Sequence, residues 1–408
     1  MVNKKRLRCH GLPERLVAFR RTHRIPASRL ARIAGMSPQA VSQIELGKVT
    51  PGVDTVERIA NAAGMDAAFL AYGAPSHTAA ATVLIPPGFN PLALVADLNA
   101  LLSGSTGVVD DVYKYLDPAG AFEWAAMLKQ SEFSALVASV PLADLVQTLA
   151  ADMKGHPSDI IALGCGTGHT EVRLVSRLLG KRVSDFRLVL LDISNVLLVI
   201  AVQHATECLK RSHSVPCVAV LGDFRRLTDY NHLFAPDSPR RRVFTMFGYT
   251  FANLDNEVQF LRRSLSWASE GDLLLLDLPE VATTNLEPTE IRRKDPGFAQ
   301  RRGEDWVSGI YSFLTVPIRR NLLGIETCKV YTELDLTSCV VPGSYAVVNR
   351  VTIRLKGGEE KRFSVGYSKR YDREKLAATM SDEGWVLRET FSYGTSFFLA
   401  LFERKRVR

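Results

Sequence analysis

The stretch IALGCGTGHTEV, residues 161–172, sets three glycines at alternate positions, Gly164, Gly166 and Gly168, directly behind an apolar run. Glycine at that spacing lets a backbone pass close to a ligand, and a loop of this kind between a strand and a helix suits a nucleotide-bearing cofactor. The dinucleotide fingerprint GxGxxG is not met, because His169 follows the third glycine of a GxGxG spacing. Asp192 ends a second apolar run, where a carboxylate can take both hydroxyls of a ribose. Gly222-Asp223-Phe224 ends a third, where an acid and an aromatic ring can flank adenine, and Phe247 lies at the end of a fourth. Gly164, Gly166, Gly168, Asp192, Asp223, Phe224 and Phe247 are thus the expected cofactor-binding residues.

These residues need elements that bring them to one edge. From residue 159 onward the texture alternates: DIIALG (159–164) reads as a buried strand, HTEVRLVSRLLG (169–180) as a helix, and FRLVLLDIS (186–194) as a strand. NVLLVIAVQHATECLK (195–210) reads as a helix, and PCVAVLGDF (216–224), RRVFTMFGY (241–249) and GDLLLLDLP (271–279) as three more strands. Alternation of this sort predicts a parallel sheet with ligands at the carboxyl ends of the strands. The three strand ends together resemble the class I S-adenosylmethionine (AdoMet) methyltransferases, which implies AdoMet as the cofactor.

A narrower resemblance follows from YLDPAGAFEW (115–124), LGCGTG, LLDIS, LGDFRRL, FGYTFANLD (247–255), GYSKRYDREKLAATMSDEGW (366–385) and GTSFFLALF (394–402). In that order they are similar to the signposts of the histidine-specific AdoMet methyltransferases that make the trimethylhistidine precursor of ergothioneine, over about residues 110–405. The resemblance implies that Asn253 holds the substrate's amino-acid end and that Ser368 contacts the ring. It also implies that 325–367, which alternates like antiparallel strands, caps the pocket.

Departures narrow the substrate. The family's glutamate two residues before Ser368 is Gly366 here, its two substrate tyrosines correspond to Leu116, beside Tyr115, and to Phe133, and the acid two residues before the first glycine is Ala162. A pocket that loses a carboxylate partner binds an imidazole poorly, so histidine itself is not the expected acceptor. Methyl transfer needs alignment more than acid–base help, because the sulfonium is already activated. Tyr249, Asn253 and Ser368 are the expected catalytic residues, with Thr250, Tyr115 and Tyr367 nearby. DNA bases are not the expected acceptor, since the fourth strand ends in FGYTFANL rather than an Asp/Asn-Pro-Pro-Tyr/Phe stretch.

Charge is concentrated at the other end of the chain. Residues 1–75 hold 12 Lys and Arg against 5 Asp and Glu, so +7 of the total +8 lies there, a footprint suited to phosphates. LPERLVAFRRT places Leu12, Leu16, Val17 and Phe19 at helical spacing, and ASRLARIAG places Leu30, Ile33 and Ala34 on one face before Gly35. MSPQAVSQIELGK then offers Ser37 as a cap, Pro38 at the first helical position, and Val41 and Ile44 inward. GVDTVERIANAAG and MDAAFLAYG complete five helices. Residues 12–72 closely resemble the phage-repressor type (XRE/Cro-like) of helix-turn-helix domain, although the glutamine that often opens the second helix is Ala27. The resemblance implies double-stranded DNA as a partner, with the helix from Pro38 in the major groove. Gln39, Ser42 and Gln43 are the expected base-facing residues, and Arg29 and Lys48, with Arg15, the phosphate contacts. Two-fold dimers on paired half-sites are expected.

The fold class is therefore α plus α/β: a five-helix domain, then a Rossmann-like methyltransferase sheet with an antiparallel β-rich cap. Expected boundaries are 1–73 for the helix-turn-helix, 74–91 for a linker, 92–157 for a helical covering segment, 158–280 for the cofactor core, 281–368 for the cap and 369–408 for a C-terminal helix and hairpin. Six scattered cysteines without a CxxC pair and eight histidines without HExxH point to no structural metal and a reduced compartment. The most apolar stretch, RLVLLDISNVLLVIAV, is broken by Asp192, so no membrane span and a cytoplasmic location are expected. Two function classes fit: an enzyme methylating an amino acid or related small amine, fused to a sequence-specific DNA-binding domain, or a transcriptional regulator whose inactive methyltransferase-like domain senses AdoMet or a metabolite.

Overall fold

A computed structural model of the chain describes residues 12–22, 25–63, 82–86, 89–129, 131–183, 185–209, 215–229, 234, 240–283, 286–295 and 304–405. The chain divides into two compact units, Met1–Ala80 and Ala81–Arg408.

In the first unit the described helices are Leu12–Thr22, Ala27–Ile33, Pro38–Glu45 and Val53–Ala63. The third starts as its sequence dictates: Ser37 Oγ accepts from the Ala40 amide at 3.1 Å, and Pro38 occupies the first turn. Leu12, Leu16, Leu30, Ala34, Val41 and Ile44 form the core with Val56, Ile59 and Ala60. Each large aliphatic side chain buried this way contributes about 2 kcal/mol. The second helix is rotated from its expected phase, because Ala31 is buried while Ile33 is 56% exposed. Arg20 clamps the third helix to the first through a fork onto Glu45, at 2.6 and 3.0 Å. The fifth expected helix, in 65–72, lies outside the described residues.

The second unit is built on an eight-stranded sheet in the order β1-β5-β4-β3-β6-β7-β12-β11. Its strands are β1 (Thr82–Leu84), β3 (Ser158–Leu163), β4 (Phe186–Asp192), β5 (Cys217–Leu221), β6 (Arg241–Met246), β7 (Leu273–Pro279), β11 (Trp385–Tyr393) and β12 (Phe397–Arg404). β1 and β3 to β7 run parallel, and the C-terminal hairpin joins antiparallel to β7. The central strands are continuous apolar runs because both faces are covered. One face packs on the helices Leu142–Met153, His169–Gly180 and Asn195–Leu209, the other on Glu257–Arg263 and Arg373–Asp382.

A second sheet follows the order β2-β10-β9-β8, with β2 (Thr106–Val108), β8 (Ile325–Asp335), β9 (Tyr345–Leu355) and β10 (Glu360–Arg370). The last three are antiparallel, as the alternation in 325–367 implies. Two features depart from the sequence reading. β1 falls inside the expected linker and pairs with β5. β2, from the expected helical segment, pairs with β10. The helices Pro288–Lys294 and Glu304–Asn321 precede β8 within the expected β-rich segment.

β10 is pinned at its start by Lys361, which is 4% exposed. Its ammonium donates to the carbonyls of Leu102, Ser103 and Gly104 at 3.1, 3.1 and 2.9 Å, the acceptors left open at the end of the helix Pro91–Ser103.

Candidate functional site

The glycine loop emerges from β3 with Gly164, Gly166 and Gly168 all in the left-handed region, at φ 70°, 53° and 67°. A Cβ on Gly168 would stand 3.0 Å from the Ala201 Cβ, so the loop packs tightly on the helix Asn195–Leu209. A Cβ on Gly164 would meet Thr250 at 3.1 Å and Phe224 at 3.3 Å, which brings the ends of three strands together. At Gly166 the one neighbour of a Cβ within 4 Å among the described residues would be the Trp124 Nε1, at 3.8 Å, so bare backbone faces an aromatic ring there.

Asp192 ends β4 beside this loop. Its carboxylate accepts from the Gly166 amide at 2.8 Å and from the Ser194 amide at 2.8 Å. Burial pushes its pKa up to about 6, against the opposing pull of the Ser194, Gly166 and Ile193 amides. Glu171, in the first turn of the next helix, is 3% exposed. Burial raises its carboxyl to about 8, its own amide lowers it, and the charges of Asp192 and Asp277 raise it further.

At the end of β5, Asp223 takes a fork from Arg225, with Nε at 3.0 Å and Nη2 at 2.8 Å, and the same guanidinium reaches Asp110 at 2.7 Å. Phe224 is half-buried with its ring edge-on to Phe260 at 6.0 Å, and Phe247 is buried in the core under the loop. An open glycine backbone, a buried carboxylate and a second carboxylate beside an aromatic ring fit the amino-acid, ribose and adenine parts of AdoMet.

The residues expected to meet the acceptor lie on the turn after β6 and near the end of β10. Tyr249, left-handed at φ 65°, begins the 3-10 turn Thr250–Asn253. Its ring stacks on Phe397 with centroids 4.9 Å apart, so Tyr249 fixes the turn against the C-terminal hairpin. Thr250 donates back to the Phe247 carbonyl at 2.8 Å. Asn253 is half-buried, and its side chain makes no hydrogen bond among the described residues. β10 is tied to this turn by Lys369, which donates to the carbonyls of Leu254 and Asp255 at 2.7 and 3.1 Å and pairs with Glu257 at 2.9 Å. Tyr367 hydrogen-bonds Asp255, and Tyr371 donates to Glu257 at 2.6 Å. Ser368 is half-buried and, by strand alternation, shares with Gly366 the face of β10 opposite to Tyr367 and Lys369.

Several partners were not visible from sequence spacing. Tyr115, Trp124 and Phe313 form an aromatic group, with Tyr115 to Phe313 and Trp124 to Phe313 both 5.3 Å between centroids. Burial raises the Tyr115 hydroxyl, and the charges of Asp111 and Asp192 raise it further. Leu116 is half-buried beside it, and Ala162 is fully buried in β3. Phe133 lies on the helix Ser131–Ser139 and its side chain lies outside the described residues. YLDPAGAFEW was a usable signal for Tyr115 and Trp124; nothing in the sequence linked Asp110 to Arg225. Among the described residues no cluster of His, Cys, Asp and Glu could hold a metal, and no helix is long and apolar enough to cross a membrane.

On the first unit, Gln39, Arg29 and Lys48 are exposed, and Ser42 and Gln43 are half-buried on the helix Pro38–Glu45. Gln39 and Gln43 lie one turn apart on one face of that helix.

Residues 18–70 match the family model described as helix-turn-helix, and residues 99–285 the one described as histidine-specific methyltransferase, SAM-dependent. No curated protein matches the chain. Among solved structures, the magnesium protoporphyrin IX methyltransferase from Synechocystis PCC 6803 with bound SAH is 13% identical, with 72% of this chain and 98% of that one covered and a TM-score of 0.39. An S-adenosylmethionine-dependent methyltransferase from Clostridium acetobutylicum ATCC 824 is also 13% identical, with 69% and 98% covered and a TM-score of 0.36. The CcbJ methyltransferase from Streptomyces caelestis is 15% identical, with 66% and 98% covered and a TM-score of 0.35. With the glycine loop, its paired acids and the two matching family models in place, the chain is an AdoMet-dependent methyltransferase that joins a helix-turn-helix DNA-binding domain to a methyltransferase domain that resembles the SAM-dependent, histidine-specific family.

Proposed function

We propose that the second unit methylates a nitrogen of an amino acid or related small amine, and that the first unit binds a specific DNA sequence as a homodimer and regulates transcription in the cytoplasm. The observation that carries the enzymatic reading is the binding of β10 to the turn after β6 by Lys369 and Tyr367, next to a glycine loop that packs on Thr250. That arrangement sets Asn253 and Ser368, two polar side chains suited to a small polar molecule, on elements locked to the cofactor loop.

Bound AdoMet supplies an activated methyl group. Gly164, Gly166 and Gly168 give its amino-acid part room, Asp192 takes the ribose hydroxyls, and Asp223 with Phe224 holds the adenine. Phe247 packs beneath the loop. Asn253 takes the amino-acid end of the acceptor and Ser368 its side chain, so that the neutral nitrogen lies in line with the methyl. Tyr249 and Thr250 keep the turn rigid, and Trp124 excludes water beside Gly166. The proton shed by the acceptor nitrogen passes to solvent. On the DNA side, Gln39, Ser42 and Gln43 face bases, and Arg29 and Lys48 face phosphates.

Titration calorimetry with AdoMet, followed by transfer of labelled methyl into a cell extract, tests the enzymatic reading. Label is expected in the small-molecule fraction; binding of AdoMet without any transfer overturns it.

A further inference from the structure

Beneath the glycine loop lies a carboxyl without a cation. Glu171, in the first turn of the helix that starts from Gly168, is 3% exposed. Among the described residues no Lys, Arg or His pairs with it, and its side chain bonds only its own amide. On the same helix, Arg173 turns away to the carbonyls of Val137 and Ala138, and His169 stacks outward on His204. Below it three strands end on one face of the sheet. Ala162 shares a core cluster with Cys165, Val172 and Val175 of the loop and helix. Asp192 follows Leu188 and Leu190 on that face of β4, and Asp277 follows Leu273 and Leu275 on that face of β7. Both of these acids are engaged: Asp192 by the Gly166 and Ser194 amides, Asp277 by the Gly248 amide and the Tyr393 hydroxyl. Asp192, Asp277 and the Cys165 thiol are the titratable groups that act on Glu171 or feel its charge, and none is a cation.

We infer that Glu171 receives the α-ammonium of AdoMet, and that the cofactor binds with expulsion of a proton from this carboxyl. The inference rests on AdoMet binding at the glycine loop and is independent of the acceptor. Strand β3 ends in a methyl group at Ala162, so the carboxyl available on this side of the loop comes from the helix. An anion buried among acids is costly by itself, and an incoming ammonium turns it into an ion pair. Glu171 therefore suits a site whose cation arrives with the ligand. In the unliganded protein burial holds its carboxyl up at about 8, and the charges of Asp192 and Asp277 raise it further, so at neutral pH it keeps its proton. When the ammonium docks, the O–H bond of Glu171 breaks, the proton leaves to solvent, and the carboxylate remains opposite the ammonium. The work of removing that proton falls as pH rises, so affinity for the cofactor climbs up to about pH 8 and then levels.

The test counts protons. S-adenosylhomocysteine, which carries the same ammonium, is titrated by calorimetry into the full chain at pH 7 in phosphate and in Tris, buffers whose protonation enthalpies differ. Release of about one proton per ligand is expected. The des-amino analogue, with hydrogen in place of the ammonium, is expected to bind roughly 10-fold or more weakly and to release none. Glu171→Gln keeps the size of the side chain and is expected to bind the two ligands alike, without proton release. Adding Ala162→Asp, which places an acid at the end of the strand, is expected to restore the preference for the ammonium. No proton release by the unmodified chain, equal binding of the two ligands by it, or release that persists in Glu171→Gln overturns the inference. The first two measurements need no variant, so they decide even if Glu171→Gln does not fold. If S-adenosylhomocysteine binds without releasing a proton, Glu171 has been assigned wrongly and the cofactor loop stands; if neither it nor AdoMet binds, both fail.

Discussion

The Gly166 amide donates to the Asp192 carboxylate at 2.8 Å, joining the cofactor loop to the end of the next strand over before any ligand enters. The same acid that would take the ribose hydroxyls thus also sets the shape of the loop that would hold the rest of the cofactor.

Asp192→Asn should therefore weaken AdoMet binding by more than one lost ribose contact. The amide offers one acceptor where the carboxylate offered two oxygens to the Gly166 and Ser194 amides, and a buried donor left unpaired costs about 1–3 kcal/mol. Calorimetry should show a Kd for AdoMet raised roughly 10- to 100-fold. An unchanged Kd would mean that this acid does not touch the cofactor.

Three buried carboxyls make the stability of the unliganded protein depend on pH in an unusual direction. Asp192 and Asp277 are held at about 6 and Glu171 at about 8, chiefly by burial. Each keeps its proton better folded than unfolded, so its stabilising contribution is complete below the ordinary carboxylate range near 4 and is lost as pH rises through these values. The Tm should fall between pH 5 and 8 along this axis, and Glu171→Gln should flatten the upper part of that fall. Calorimetric scans of both proteins across that range decide it.

Arg225→Met should affect cofactor and acceptor together. The guanidinium holds Asp223 at 2.8 Å and Asp110 at 2.7 Å, and Asp110 in turn accepts from the Val112 amide at 3.0 Å, at the start of the helix that carries Tyr115. Removing it leaves two carboxylates without their shared cation. KM for AdoMet should rise roughly tenfold, with a smaller rise for the acceptor; a change confined to the acceptor would count against Asp223 as an adenine contact.

Lys369→Met should destabilise the second unit strongly, by about 3–5 kcal/mol, because Glu257 would remain buried without its cation. Urea denaturation reads this directly. Lys369→Met with Glu257→Leu should recover most of the loss.

Replacing Gln39 and Gln43 together by Ala should abolish preference for a specific site while sparing general affinity. Base contacts of this kind are worth about 1–3 kcal/mol each, whereas phosphate contacts set the salt dependence. Fluorescence anisotropy at several salt concentrations should show specific and random DNA converging, with the salt slope unchanged.

Local features were largely legible in the sequence. Ser37 and Pro38 announced the start of a helix, and the glycines before His169 announced the loop, because caps and turns are decided within a few residues. Central strands β3 to β7 stood out by the apolar runs at their centres. The three-residue strands β1 and β2 did not, since so short a segment has no period to detect. Leu30 and Ala34 are buried as expected, but Ile33 is exposed and Ala31 buried in its stead, because both fit a helical stripe and only packing chooses between them. The acceptor side was least legible: Lys114 meets the carbonyl of Val365, 251 positions away, and Arg225 meets Asp110, 115 positions away. No local pattern encodes such encounters.

Lys361 and Lys369 hold β10 like a beam built in at both supports, one near its start and one near its end. Such a strand cannot slide or tilt to suit a new ligand. Adjustment around this strand must then come from the elements packed beside it, such as Val112–Leu116 through Lys114, while the beam itself stays fixed.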